Sequence, residues 1–299
     1  MGYRHIVISS SVSISVRNEQ LLIKGEAEGS VPLEDIRTLM LESRASTVSS
    51  YALSVLAERG ICVYVCDEKH LPCAVIQPLG QHSRQRRQLL LQLSPSQPLL
   101  KQLWKSIVIA KIQNQAIALS LCGVDASFVQ KVSQLTTLVQ SGDKGNCEAR
   151  AAALYFRYLF GEAFCRGDDS AINAALNYGY AIVRGYLARL IASRGFEASL
   201  GIHHRSELNP YNLADDLIEP FRPLVDSFVF QNCDFESFDI TAKRELQNIL
   251  NYEMLSGGEH HTVAYAAERL INSLVTSYSE GENTLILPTF CDVKRHEYE

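Results

Sequence analysis

Two periodicities divide the chain. Up to about residue 80 the apolar positions come in short runs of the kind strands use. Beyond that point they recur every three or four residues, the spacing of one helix face. His5-Ile-Val-Ile-Ser-Ser reads as a short strand. Ser13-Ile-Ser-Val-Arg and Leu21-Leu-Ile-Lys flank Asn18-Glu-Gln, a polar hairpin turn. Val31 to Leu41 reads as another strand. Between Thr47 and Arg59, the residues Val48, Tyr51, Ala52, Val55 and Leu56 share one helical face, and Gly60 is placed to cap it. Ile61-Cys-Val-Tyr-Val-Cys and Cys73-Ala-Val-Ile read as buried strands.

The character changes at Gly80, where Gln81-His-Ser-Arg-Gln-Arg-Arg-Gln is polar and basic. Helical spacing then predicts helices over 98–123 (containing Trp104), 126–140, 143–161, 170–195, 212 to about 230, 242–255 and 261–278. A strand pattern returns only at Leu285-Ile-Leu. The expectation is an α+β protein of two domains: a small β-rich N-terminal domain over 1–80, a basic linker over 81–97 and a larger all-α domain over 98–299.

Composition narrows the picture. A chain of 299 residues with 46% hydrophobic side chains can support two cores. No window approaches the ~20 consecutive apolar residues of a membrane span. The start shows no signal core, and Ile6 stands where a myristoylation signal would have Ser or Thr. These readings predict a cytoplasmic protein without a membrane segment. The eight cysteines are scattered, without a C-x-x-C pair, and read as buried free thiols. The net charge is −5. Binding to a polyanion then calls for a local basic stripe or a partner that shares the contacts.

Three places in the helical region could carry chemistry. Glu148 opens a helix rich in small residues, Ala149, Ala151, Ala152 and Ala153, that would permit close packing. Its bland reading is a first-turn acid on the helix dipole. Gly201-Ile-His-His-Arg lies between helices, and neutral imidazole binds divalent cations. At most one of His203 and His204 need face a site, since neighbours in extended chain point opposite ways. Asp216 and Glu219, three residues apart, share a helix face and repel unless a cation or proton lies between them. Pro220 would bend the chain directly after Glu219. Carboxylates with one imidazole form a hard O/N set suited to Mg²⁺ or Mn²⁺, and such sites serve phosphoryl transfer.

The run Asn173-Ala-Ala-Leu-Asn-Tyr-Gly-Tyr-Ala-Ile-Val-Arg, then Gly201-Ile-His-His, then Asp215-Asp-Leu-Ile-Glu-Pro-Phe-Arg-Pro, resembles the CRISPR-associated integrases. This is the universal "Cas one" subunit of spacer acquisition, and the form is most similar to that of type II systems. The resemblance implies a metal held by Glu148, His204 and Glu219, with Asp216 as a further catalytic residue. It selects His204 over His203, because the family's His closes a Gly-apolar-apolar-His motif. It implies an enzyme of antiviral defence that inserts captured DNA as new spacers, the 3′-hydroxyl attacking a repeat phosphodiester, and that also cuts DNA. The implied cofactor is Mg²⁺ or Mn²⁺. The implied partners are DNA, a second copy of the chain dimerising through the N-terminal domain, and a dimer of a small ferredoxin-fold Cas protein, together a heterohexamer. Expected DNA contacts are Arg84, Arg86, Arg87, Lys101, Lys105, Lys111, Arg184, Arg205 and Arg222. The last two adjoin the expected ligands and could clamp phosphates. Tyr178 and Tyr180 could stack on bases but read better as core. The alternatives are a metal-dependent nuclease outside CRISPR biology and a non-catalytic DNA-binding scaffold.

Overall fold

A computed structural model describes residues 2–26, 28–68, 72–76, 84–233 and 237–296. The chain forms two compact units. One comprises residues 1–85 with 192–195, the other 86–191 with 196–299. Of the stretch expected as a linker, 81–83 lie outside the described residues, and the remainder carries a helix over Gln85–Leu93.

The first unit contains β1 (Arg4–Ile8), β2 (Ser13–Arg17), β3 (Gln20–Lys24), β4 (Glu28–Pro32), β5 (Ile36–Leu41), β6 (Thr47–Val48), α1 (Ser50–Glu58), β7 (Cys62–Cys66) and β8 (Pro72–Ile76). They make two four-stranded sheets, ordered β1-β5-β7-β8 and β4-β3-β2-β6. In the first, β1, β5 and β7 run parallel and β8 runs against β7. The β2–β3 hairpin turns on Asn18 and Glu19, both with positive φ (49° and 59°), as tight hairpin turns require. The single strand expected over 31–41 is two. Pro32 ends edge strand β4, since it has no N–H to donate, and a 3-10 turn over Leu33–Asp35 sends β5 into the other sheet. Ser49 caps α1 by accepting from Ala52 N, and Gly60 follows with φ 68°. Ile8, Ile14, Leu21, Leu39, Leu56 and Val63 sit in the shared apolar core.

The second unit contains α2 (Gln85–Leu93, from Arg86), α3 (Gln97–Leu121), α4 (Ala126–Gln134), α5 (Cys147–Phe160), α6 (Ala171–Ser193, to Ile191), α7 (Asn212–Leu217), α8 (Arg222–Asn232), α9 (Ile240–Gln247), β9 (Glu253–Ser256), β10 (Glu259–Thr262) and α10 (Val263–Glu280). Buried α3 is its spine, with Leu103, Trp104, Ile107, Val108 and Ile112 almost without exposure. α6 crosses α8 closely: a Cβ at Gly179 would come within 2.5 Å of Val225 Cγ1.

Three helical expectations are corrected. The helix expected over 242–255 stops at Gln247, and 253–256 pairs antiparallel with 259–262. Gly257 and Gly258 take φ 65° and 87° and let the strands reverse, a hairpin signal that outweighs the helical spacing around it. The last helix therefore starts at Val263, capped by the Thr262 hydroxyl, which accepts from Tyr265 N. Leu285-Ile-Leu forms no strand; instead Thr289 bridges Leu255. The expected 212–230 helix breaks at Leu217, passes through a 3-10 turn over Glu219–Phe221 and restarts as α8, because Pro220 cannot donate within a helix. The cysteines are all free, but only Cys62, Cys66 and Cys147 are buried, while Cys73 and Cys165 are exposed. Among the described residues no helix is long and apolar enough to cross a membrane.

Candidate functional site

Glu148 and Glu219 come together on α3. Lys111 Nζ donates to Glu148 Oε1 at 2.6 Å and pairs with Glu219 Oε2. Local structure fixes both carboxylates. Asp143 caps α5, accepting from Cys147 N and Glu148 N at 2.9 Å each, which sets the first turn bearing Glu148. Glu219 is held in the 3-10 turn, whose Pro220 carbonyl accepts from Asn114 Nδ2 at 2.7 Å. Asn114 also donates to Pro288 O (3.0 Å) and accepts from Phe290 N (2.9 Å), so it ties the turn to the C-terminal segment. Arg222, one turn on, binds Glu219 Oε1 at 3.0 Å and lies over the Tyr180 ring, 4.4 Å from its centre.

Electrostatics follow from burial opposed by pairing. Burial alone would push Glu219 up, but the Arg222 guanidinium and Lys111 ammonium outweigh it and hold the carboxyl at about 2. Burial alone would push Lys111 down, yet Glu219 and Glu148 outweigh it and hold the ammonium above its ordinary value. Asp226 goes the other way: burial pushes it up to about 6, although it accepts a hydrogen bond from Tyr180.

The second half of the site is a loop wrapped around one carboxylate. Asp216 has no exposure. Its Oδ2 accepts from Ile202 N (2.6 Å) and His203 N (2.9 Å). Its Oδ1 accepts from His204 N (3.2 Å) and His204 Nδ1 (2.7 Å). Both oxygens are therefore committed to the chain's own donors. Facing a carboxylate, Nδ1 carries the proton, which leaves Nε2 with a lone pair. The bond to Asp216 raises the His204 pKa against partial burial. Gly201 permits the wrap, since a Cβ there would lie 2.4 Å from His204 O and 2.8 Å from Asp216 Oδ2. Trp104 supports it from α3, stacked flat on His203 (4.3 Å, 1° between planes) and edge-on to His204. Gln92 and Asn212 pin the loop further through the carbonyls of Glu197, Ser199, Leu200 and Ser206. A groove of about 900 Å³, lined in part by His204, Arg205, Gln97 and Asn209, opens beside the loop.

Residues 6–253 match the family described as CRISPR associated protein Cas1. The chain belongs to that family. It is 41% identical over 307 residues to the CRISPR-associated endonuclease Cas1 of Neisseria meningitidis serogroup C (strain 8013), with all of both chains covered. That agrees with the type II-like form of its motifs. The solved structure of a casposase bound to integration product shares the fold at TM-score 0.76 and 18% identity, over 100% of this chain and 95% of that one. A Cas6-RT-Cas1–Cas2 complex gives TM-score 0.71 at 17% identity, over 99% of this chain and 36% of that one.

Within this Cas1 fold the expected site residues form two pairs, Glu148 with Glu219 and His204 with Asp216. Among the described residues no group of three His, Cys, Asp or Glu side chains stands close enough to hold a metal ion. The donor chemistry nevertheless suits one. Two carboxylates converge on one position, which the Lys111 ammonium occupies, and His204 has its Nδ1 anchored on a carboxylate as metal-binding imidazoles usually do. Lys111, expected as a DNA contact, is instead buried between carboxylates. Tyr178 and Tyr180 are core, as expected. Arg84, Arg86 and Arg87 are exposed and Lys105 is partly so. Arg184 lies 3.8 Å from Asp215 and over the Tyr211 ring. Arg205 donates weakly to Gln97 at 3.3 Å. Sequence reasoning missed Trp104, Asn114 and Asp143 as site supports, and misassigned Lys111. Trp104, Lys111 and Asn114 recur at seven and three residues along one helix, a stripe the apolar pattern conceals.

Proposed function

We propose that this Cas1-family chain is a divalent-metal-dependent DNA integrase and endonuclease. It inserts captured DNA fragments into a CRISPR array, the 3′-hydroxyl of the fragment attacking a repeat phosphodiester. The bond formed replaces the bond broken, so no nucleotide cofactor is needed. The observation that carries this reading is the convergence of Glu148 and Glu219 on one cation position. Glu148, Glu219 and His204 Nε2 would hold Mg²⁺ or Mn²⁺. When bound, that ion offsets charge developing on the phosphate oxygens. Asp216 acts by fixing the His204 ring and its tautomer, and Arg222 by holding Glu219 ionised. Arg205, exposed on the groove, would grip a phosphate. Arg84, Arg86, Arg87, Lys105 and Arg184 would neutralise further DNA phosphates.

The chain works as a homodimer with a dimer of a small ferredoxin-fold Cas partner. Support comes from the fold shared with a Cas1–Cas2-containing complex and from the −5 net charge, which leaves part of the DNA track to others. The test is strand transfer of a labelled fragment into a repeat-bearing plasmid with Mg²⁺ or Mn²⁺. Glu148→Ala, His204→Ala and Glu219→Ala proteins should fold and lose the product. Normal integration by Glu219→Ala sinks the assignment.

A further inference from the structure

Lysine is seldom fully buried unless it is paired. Lys111 is 6% exposed in the middle of α3. Its ammonium bridges Glu148 and Glu219, and Arg222 takes the other Glu219 oxygen. The four charges, two of each sign, cancel. The set is electrically complete and holds its two carboxylates at hydrogen-bond reach of one nitrogen. A divalent ion entering between the same oxygens would meet that ammonium at contact range, where like charges repel strongly in a dry site.

We propose that Lys111 is an internal counter-cation of the site. It holds Glu148 and Glu219 together while no metal is bound, and it leaves their oxygens when a divalent ion enters. It is a positioning residue that lowers metal affinity while protecting the metal-free fold. This inference rests on the reading of Glu148 and Glu219 as metal ligands. A helix residue with a long, flexible stem suits the role. The ammonium can swing away about its four side-chain bonds while the α3 backbone stays packed.

The test measures Mn²⁺ binding without DNA, by the electron paramagnetic resonance signal of free Mn²⁺, on the full-length parent, Lys111→Met, Glu148→Ala and Glu219→Ala. Lys111→Met should bind Mn²⁺ more tightly by about ten-fold or more, because a competing charge has gone. Its metal-free form should melt below the parent, and added Mn²⁺ should close that gap. A residue that merely braced the fold would weaken metal binding on removal. Unchanged or weaker binding by Lys111→Met, with parental binding still dependent on Glu219, overturns the role of Lys111 alone. Binding that neither Glu148→Ala nor Glu219→Ala reduces overturns the metal site and the inference with it. If Lys111→Met does not fold, Lys111→Gln makes the same comparison, since it keeps a donor to one carboxylate but not the charge.

Discussion

Asp216→Asn replaces one oxygen by nitrogen and leaves the volume almost unchanged, so its effect isolates the hydrogen bonds. Asp216 accepts four: Ile202 N and His203 N on Oδ2, His204 N and Nδ1 on Oδ1. An amide keeps one acceptor edge and turns its NH₂ toward the other pair of donors. If the NH₂ faces Ile202 and His203, two buried N–H groups lose their acceptor. If it faces His204, the His204 backbone N–H and the imidazole both lose their acceptor, but the imidazole side chain is 43% exposed and can turn to water. The second arrangement is the cheaper. Each donor left unsatisfied costs about 1–3 kcal/mol, and the cheaper arrangement strands one backbone N–H, so the variant should lose about 1–3 kcal/mol of stability. Releasing Nδ1 also frees the ring that Asp216 orients. Loss of such a support typically weakens metal binding by about 10–100-fold. Urea unfolding gives the first quantity and Mn²⁺ titration the second, with strand transfer falling alongside. An Asp216→Asn protein within about 0.5 kcal/mol of the parent, with parental Mn²⁺ affinity, would refute the account of Asp216 as the hub of the loop.

Glu219 is held at about 2 against an ordinary 4.5, so its ion pairs contribute fully above pH 4.5 and their contribution is lost as pH falls toward 2. The stability gap between parent and Glu219→Gln, followed by chemical denaturation, should therefore shrink across that acid window. A gap independent of pH would count against the pairing. Asn114→Ala removes three buried hydrogen bonds to Pro220, Pro288 and Phe290 and should cost about 2–4 kcal/mol in urea unfolding; a loss under about 1 kcal/mol would show that the turn is held elsewhere. Alanine at Arg84, Arg86 and Arg87 together should weaken DNA binding and flatten its salt dependence, since fewer phosphates are neutralised. An unchanged salt slope would remove these residues from the DNA track.

Periodicity located the β-rich start, the long helices and the hairpin at Asn18, because each rests on short-range sterics. It failed where one residue decided against its neighbours. Pro32 and Pro220 each split an element, and Gly257-Gly258 made a hairpin inside an apparent helix. At the site, residue types and motif order named Glu148, His204, Asp216 and Glu219. Spacing could not say which would meet, since Lys111, Glu148 and Glu219 lie far apart in sequence and are joined by tertiary packing. The role of Lys111 was hidden for the same reason: on an amphipathic helix a lysine reads as solvent-facing, and only the carboxylates brought to it make burial tolerable.

The stripe on α3 has a consequence for how such chains can change length. Trp104 lies under the histidines, Lys111 between the carboxylates and Asn114 beneath the Pro220 turn. All three depend on a shared angular phase. One residue gained or lost between them would rotate everything beyond it by about 100° about the helix axis and shift it by about 1.5 Å. Such a frame error would separate the histidine support from the carboxylate bridge in a single step. Viable drift in this part of the chain is thus confined to substitution, and insertions and deletions should accumulate in loops such as the one after Gly281.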